Sequence, residues 1–351
     1  MLSDSQVFDE THLPPRLLHR EGVVDEVLRA WGPTTVGERA RNVMIHGPSG
    51  VGKTVLARYC LEELDDEADV HHAYVRTLGE STAGILRATL RDLPGPDPAM
   101  NTPESDLALA LYERVDRPCI VVLDEADGLP TTDGLDKLLD VDGLSVVVVC
   151  HDPEEFLARM DLSVGRTFSP LQIRLDRYGV DELADILEAR ADVGLRSGVV
   201  KREQLRTIAD EVAGVARFGI QALREAALAA VDHGHDTIQD VDVANSFARA
   251  RRRVREANLA SLPFHHHVLY ELVREYGALE PDELHCKYES VVDQAYRGSD
   301  RTPIGERDRR RKLRKLQQYD LVAIEGDETT RDRVYRVVDE TIVAPLNIDL
   351  G

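Results

Sequence analysis

The sequence predicts an α/β domain with a phosphate-binding loop, then a helical subdomain and a C-terminal winged helix-turn-helix. Three observations indicate this: apolar runs alternate with helical patterns over the first half, a glycine-rich motif follows the first run, and three helical patterns precede a hairpin pattern. Strands that are apolar on both sides and alternate with helices are typical of a parallel sheet with helices on both faces. We expect domain boundaries of 1–176, 177–260 and 261–351.

Short apolar runs supply the strands of the expected sheet. A helix is predicted after the first run through about Leu64. Another is predicted from Glu104 to Val115, beyond a proline-rich loop. The strands are expected at 43–47, 72–76, 119–123, 144–150 and 172–175.

The pattern becomes helical after Tyr178. Apolar residues at positions 183, 186, 187 and 191 share one face, and those at 220, 223, 227 and 230 share another. A third helix, from about Ile238, runs into the arginine-rich segment 249–255. Three further helices and a two-stranded ribbon at 321–325 and 333–337 then follow, which is the order of a winged helix-turn-helix.

The net charge is strongly negative but unevenly distributed. The whole chain carries −21, with 37 arginines and only 6 lysines. Such a mean field repels nucleic acid, and a surface rich in Asp and Glu and poor in Lys suggests a salt-rich cytosol. Residues 261–351, however, carry only −4, and 297–315 hold nine basic and three acidic side chains, a local +6.

The cysteines and the start of the chain indicate a compartment. Four cysteines lie far apart without a C-x-x-C pair, which argues against a disulfide scaffold or zinc ribbon and fits a reducing cytosol. Residues 1–5 show no basic and no apolar region of a signal peptide. The apolar runs are far shorter than the roughly 20 residues that span a bilayer. We therefore expect a soluble cytoplasmic protein with no membrane partner.

The glycine-rich motif fits G-x-x-x-x-G-K-[ST], with a strand before it and a helix after it. Its glycines let backbone N–H groups approach phosphate oxygens at a helix N-terminus. Lys53 would reach the β- and γ-phosphates of ATP or ADP, and Thr54 would bind Mg²⁺. The predicted nucleotide-binding set is Gly47, Pro48, Ser49, Gly50, Val51, Gly52, Lys53, Thr54 and the adjacent Val55.

A pair of carboxylates forms the second constellation. The apolar run 119–123 ends in Asp124 and Glu125. On the same sheet as the phosphate loop, Asp124 would hold Mg²⁺ directly or through water. Glu125 would polarise the attacking water as a general base.

Together these motifs resemble the AAA+ ATPases, and the details look like the archaeal replication initiators of the origin-recognition and cell-division-cycle type. The resemblance covers most of the chain, including a lead-in at Val7-Phe8, Leu13-Pro14 and 19–21. It implies that Tyr178 and Arg190 line the nucleotide site, and that Arg217 is the sensor-2 arginine of a lid helix. It also implies that Arg166 is an arginine finger aimed at a neighbouring subunit.

Three departures from the family pattern stand out. His151 follows the fourth apolar strand, where the family has a sensor-1 asparagine, although a histidine can still donate to phosphate or water. Val215 replaces the usual aspartate of sensor 2. The stretch 76–118 is short for the insertion by which initiators grip origin DNA. Nucleotide binding therefore looks better supported by the sequence than rapid turnover.

The third helix of the winged-helix region carries the local positive charge. Thr302-Pro303 predicts its first turn, and Leu313 and Leu316 would anchor it to the core. In a winged helix this element enters the major groove, where arginine binds phosphate or guanine. The predicted DNA contacts are Arg307, Arg309, Arg310, Arg311, Arg314 and Lys315, with Arg331 and Arg333 on an otherwise acidic wing.

The sequence leaves the partner of one arginine cluster undecided and assigns no function to two sets of adjacent histidines. The 249–255 arginine cluster would contact either DNA or the acidic ATPase domain. The histidine pair at 71–72 and the histidine triplet at 265–267 lack the spacing of a metal site, because neighbouring residues on a helix point in different directions.

The leading hypothesis is an ATP-switched replication initiator that binds duplex origin DNA, assembles with neighbouring subunits and recruits the replicative helicase. The alternative is a winged-helix DNA-binding regulator whose ATPase is weak or structural, which the altered sensor 1 and the short insertion favour. A clamp-loader-like or recombination ATPase would not explain the winged helix.

Overall fold

The computed structural model describes residues 1–129, 131–298, 301–326 and 333–346. The chain divides into two compact units, residues 1–244 and 245–351. The proposed division into three domains with the bounds given above stays a prediction. Among the described residues, none of the helices combines the length and apolar character needed to cross a membrane.

The first unit opens with an α/β region. Its predicted strands are confirmed with small shifts at their ends, because β1 stops at His46, where Gly47 turns the backbone to a φ of 142°. The helices and strands are α1 (Glu21–Trp31), β1 (Val43–His46), α2 (Lys53–Asp65), β2 (His71–Arg76), α3 (Thr82–Asp92), α4 (Glu104–Arg114), β3 (Cys119–Asp124), α5 (Asp133–Leu139), β4 (Leu144–Cys150), α6 (Pro153–Leu157), α7 (Leu162–Phe168) and β5 (Gln172–Arg174).

The five strands form one parallel sheet in the order β2-β3-β4-β1-β5. Every residue of β3 and β4 is buried. Successive residues enter opposite cores: Val121 packs on one face and Val122 on the other. The predicted sheet with helices on both faces is therefore confirmed, and its carboxyl edge places the end of β3 beside the loop after β1.

A helical region completes this unit and continues into the next. It consists of α8 (Val180–Gly194), α9 (Arg202–Glu211), α10 (Ala216–Asp232) and α11 (Asp240–Ser261). Leu183 and Leu187 of α8 and Leu223 of α10 are fully buried, as their spacing predicts. The N-terminal segment joins this region, since the Ser3 N–H donates to the Gly194 carbonyl over 2.9 Å.

The second unit contains three helices followed by a hairpin: α12 (Phe264–Tyr276), α13 (Pro281–Ala295), α14 (Glu306–Gln318), β6 (Val322–Glu325) and β7 (Val334–Val337). The two strands are antiparallel. The predicted helix start at Thr302-Pro303 is wrong: α14 begins after an extended Gly305, and the Ile304 N–H donates to the Tyr288 hydroxyl over 3.1 Å. Leu313 and Leu316 are buried, as expected of its anchors.

Candidate functional site

The predicted phosphate loop lies between β1 and α2. Lys53 begins α2, and its ammonium group donates to the carbonyls of Gly47 and Pro48 over 2.7 and 2.8 Å. Ser49, Gly50, Val51 and Gly52 complete the loop, while Thr54 and Val55 follow in the first helical turn. The N-terminal turn of α2 and its aligned helix dipole favour an anion here.

Gly50 of this loop lies against the start of α10. A Cβ atom there would lie 2.8 Å from Cγ1 of Val215 and 3.2 Å from Cβ of Arg217. The Arg217 N–H also donates to the Gly50 carbonyl over 3.1 Å. Val215, where the resemblance implies an aspartate, therefore lies next to the phosphate loop.

Asp124 is the last residue of β3, and its carboxylate accepts hydrogen bonds from two hydroxyl groups. Its Oδ2 accepts the Thr54 hydroxyl over 2.8 Å and also the Tyr74 hydroxyl. Its Oδ1 accepts the Glu125 N–H over 2.8 Å. Burial, followed by the charge of Asp124, raises the pKa of Tyr74, so this phenol stays protonated. Thr54 and Asp124 together offer the hard oxygen ligands that suit Mg²⁺.

Glu125 has a distinct environment next to Asp124. Its backbone adopts a left-handed conformation with a φ of 56°. Its Oε1 accepts two hydrogen bonds from Arg76, from Nε over 3.1 Å and from an Nη over 2.7 Å. The side chain is 19% exposed, and its Oε2 atom is buried.

Three residues implied by the resemblance lie on the α8–α10 region. The Arg217 guanidinium pairs with Glu10, its Nε lying 2.5 Å from Oε1. The ring of Tyr178 lies under the Arg20 guanidinium, 4.1 Å from the ring centroid. Arg190 is buried and donates to the Val7 carbonyl over 2.7 Å. Burial lowers the pKa of Arg190 to about 10.

His151 and Arg166, both predicted site residues, are exposed. The His151 N–H donates to the Asp127 carboxylate over 2.7 Å, and its side chain faces solvent. Arg166 lies exposed on α7.

His46, which ends β1, is half-buried, and burial followed by the charges of Arg174 and Lys53 lowers its pKa. Its imidazole is therefore neutral at neutral pH.

The predicted DNA-contacting residues divide into exposed and buried groups on α14. Arg307, Arg310 and Arg314 are exposed and follow the three- and four-residue spacing of one helix face. Arg311 and Lys315 are half-buried, and the Lys315 ammonium lies 4.4 Å from the centroid of the Tyr319 ring.

Arg309 does not belong to this exposed face, which corrects the expectation from sequence. It is 5% exposed, donates to Glu289 over 2.5 Å and lies over the Tyr288 ring at 4.5 Å. Its position on the helix turns it into the core, because the basic run is longer than one helix face. Arg333 is half-buried, and Arg331 lies outside the described residues.

The arginine and histidine clusters have local partners. Arg255 of the 249–255 cluster bonds Asp320 over 2.6 Å, within the second unit. His72 lies 2.8 Å from Asp65, His265 bonds the Tyr296 hydroxyl at 2.8 Å, and His267 bonds the Leu259 carbonyl at 2.7 Å. These histidines point to separate partners.

Sequence reasoning missed Tyr74, Arg76 and Glu10 as neighbours of the site. Tyr74 and Arg76 lie two residues apart on β2, and the parallel register pairs Arg76 with Asp124. A strand order placing β2 beside β3 would have indicated both residues. Glu10 lies in an irregular segment, and nothing in its local pattern indicates a partnership with Arg217.

Two family models match the chain. One describes the AAA ATPase domain and matches residues 16–149, and the other describes the Cdc6 AAA+ ATPase-type lid domain and matches 184–248. The α/β region and the helical region are therefore an AAA+ ATPase domain and a Cdc6-type lid.

The chain is similar over nearly its whole length to a haloarchaeal protein. It is 32% identical to ORC1-type DNA replication protein 9 of Halobacterium salinarum over 97% of this chain and 95% of that one. Its fold is similar to that of Aeropyrum pernix ORC1 in complex with DNA, with a TM-score of 0.74, 21% identity and coverage of 96% and 93%. It is also similar to Aeropyrum pernix ORC2 in ADPNP-ADP complexes, with a TM-score of 0.64, 23% identity and coverage of 96% and 94%. The chain thus belongs to the family of ORC1-type DNA replication proteins.

Proposed function

We propose that this chain is an ATP-switched replication initiator that binds duplex origin DNA through a C-terminal winged helix. The observation that carries the proposal is the convergence at the carboxyl edge of the sheet. Lys53, Thr54 and Asp124 meet there, and the backbone of Arg217 bonds the same loop through Gly50. A loop that contacts both the core and the lid can report nucleotide binding to both.

ATP or ADP fits this cradle. The backbone of the loop and the first turn of α2 would bind the phosphates, with Lys53 exchanging its loop carbonyls for phosphate oxygens. Thr54 and Asp124 would hold Mg²⁺, which would neutralise charge on the phosphates. Tyr178 and Arg190 are proposed to line the pocket by family resemblance, although Arg190 already bonds the Val7 carbonyl.

Hydrolysis would depend on how Glu125 is held. In the observed arrangement Arg76 occupies one carboxylate oxygen, so Glu125 would orient water fully once this pair loosens. Arg217 would leave Glu10 to stabilise charge on the phosphates, and Arg166 of a neighbouring subunit would do the same across an interface. His151, exposed after β4, would supply a weaker contact than a buried donor, in keeping with slow turnover.

DNA binding would use the face of α14. Three helices followed by a hairpin are the elements of a winged helix, in which the third helix enters the major groove. Arg307, Arg310 and Arg314 form the exposed part of that face, with Arg311 and Lys315 beside it. Arg331 and Arg333 would contact DNA from the wing. Recruitment of the replicative helicase would follow from the ATP-bound assembly on DNA.

The phosphate-loop assignment is tested by nucleotide binding to purified Lys53→Ala. The loss of charge-assisted hydrogen bonds of about 1.5–3 kcal/mol each predicts an affinity at least tenfold weaker. Lys137→Ala is the matched control. This lysine lies outside the loop and pairs with Glu104, at a distance of 3.3 Å between the charged atoms. Equal nucleotide affinity in Lys53→Ala and wild type would refute the site.

The alternative function is a DNA-binding regulator with a weak or structural ATPase, which the exposed His151 favours. Steady-state turnover of wild type beside Glu125→Gln, each with DNA, discriminates the two. Equal turnover would favour the regulator. Genome-wide mapping of bound DNA tests the origin directly: peaks at origins support the initiator, and peaks confined to promoters contradict it.

A further inference from the structure

Two histidines converge on one buried carboxylate between α10 and α11, in the Cdc6-type lid. Nδ1 of His233 lies 2.6 Å from Oδ1 of Asp242, and Nδ1 of His235 lies 2.8 Å from Oδ2. All three potential ligand atoms lie within 4.8 Å of one another, the one such group of three in the described part of the chain. Neither the phosphate loop nor the proposed DNA-binding face uses these residues.

The backbone builds this convergence. His233 follows the last turn of α10, and Gly234 turns the chain with a φ of 74°, so that His235 returns to the same side. The carbonyl groups at the end of α10 hold the turn, because the His235 N–H donates to the Ala230 carbonyl over 2.8 Å. The two rings are thereby fixed 5.5 Å apart between centroids.

The carboxylate of Asp242 is also fixed in position. Its side chain is fully buried, and its Oδ2 accepts the Gln239 N–H over 2.8 Å at the start of α11. A buried carboxylate that is oriented by a backbone donor is the arrangement found around bound metals.

The surroundings favour a cation that can enter from solvent. The segment 232–242 contains four aspartates and no lysine or arginine of its own, and the Arg196 guanidinium donates to the Asp236 carbonyl over 2.8 Å. The side chains of His233 and His235 are 39% and 32% exposed, so solvent reaches both imidazoles. Two imidazoles and one carboxylate are a ligand set typical of zinc, with water completing the tetrahedron.

We propose that His233, His235 and Asp242 form a binding site for Zn²⁺ or a similar divalent transition metal, linking the end of α10 to the start of α11. Each neutral imidazole would carry its proton on Nε2 and present Nδ1 to the metal, in place of the present Nδ1–H donation to Asp242. Bound metal would close the ten-residue turn and stabilise the lid without taking part in nucleotide chemistry.

The test is a Zn²⁺ titration of untagged, chelator-treated full-length protein at pH 7.5, read by calorimetry. We expect one saturable site per chain, and at least tenfold weaker binding in His235→Gln. His72→Gln is the matched control, because His72 also lies 2.8 Å from an aspartate, Asp65, but outside the three-ligand group. It should bind as wild type.

Two further measurements keep the proposal falsifiable if His235→Gln unfolds. X-ray absorption of the Zn²⁺-loaded wild type should show two imidazole nitrogens at about 2.0–2.1 Å. One equivalent of Zn²⁺ should also raise the melting temperature of wild type and of His72→Gln. Absence of saturable binding in wild type, or a zinc environment without histidine, would leave the cluster as a hydrogen-bonded helix connection only and overturn the proposal.

Discussion

His266 makes the second unit sensitive to acid. It lies on α12 with a side chain 2% exposed, and within the described residues its Nδ1 has no hydrogen-bond partner. Burial, followed by the charge of Lys312, lowers its pKa to about 2 from an ordinary value of 6.5. Protonation therefore favours the unfolded chain, and stability that is complete above pH 6.5 is lost as the pH falls below it.

The size of this loss follows from the difference between the pKa of His266 in the unfolded chain and its pKa in the folded chain. Between pH 6.5 and the folded pKa, the unfolded state binds one more proton, which costs about 1.4 kcal/mol per pH unit. At pH 5 the loss from His266 alone is about 2 kcal/mol. His265, whose pKa burial lowers to about 4, adds a loss of the same sign.

The variant His266→Leu isolates this effect, because leucine fills the buried position without a titrating group. Hydrogen exchange of α12 and α14 amides, corrected for intrinsic exchange, gives the local opening free energy at pH 8, 6.5 and 5. We expect the difference between wild type and His266→Leu to change by about 2 kcal/mol between pH 8 and 5. His72→Gln, 34% exposed, should parallel wild type. A pH-independent difference for His266→Leu would refute the reasoning.

Three further outcomes follow from the site and the proposed DNA face. Arg76→Ala removes both hydrogen bonds to Glu125, so steady-state ATP turnover should rise; unchanged or lower turnover would show that the pair does not restrain this carboxylate. Gly50→Ala, measured by nucleotide affinity and melting temperature, should weaken binding by at least tenfold, because its Cβ would collide with the lid; wild-type affinity would contradict that packing. Arg314→Ala should reduce the slope of log affinity for duplex DNA against log salt by about 1, whereas exposed Arg206→Ala should leave it unchanged; equal slopes in all three proteins would exclude a phosphate contact at Arg314.

Sequence patterns predicted the elements that local physics determines. Apolar runs fix β3 and β4, since a strand buried on both faces must be apolar throughout. The phosphate-loop motif likewise located the loop and α2, because its glycines and Lys53 have few other uses at that spacing. The family resemblance and the AAA+ fold followed from these motifs and are confirmed.

Residues whose partners are distant in the chain escaped prediction. The Arg76–Glu125 pair depends on which strand lies beside β3, and the Glu10–Arg217 pair joins residues about two hundred positions apart. The burial of Arg309 depends on the rotation of α14, which the dense basic run conceals. The His233–His235–Asp242 group needed the turn geometry at Gly234.

The close approach between Tyr178 and Gly214 has a consequence for natural variation. A Cβ at Gly214 would lie 2.1 Å from the Tyr178 carbonyl oxygen, and the Tyr178 N–H donates to the Gly214 carbonyl over 3.1 Å. Any side chain there must separate the beginning of the lid from the loop before α10. A glycine retained here in relatives would thus record backbone geometry, so its persistence in a lineage would not by itself show that ATP is still hydrolysed.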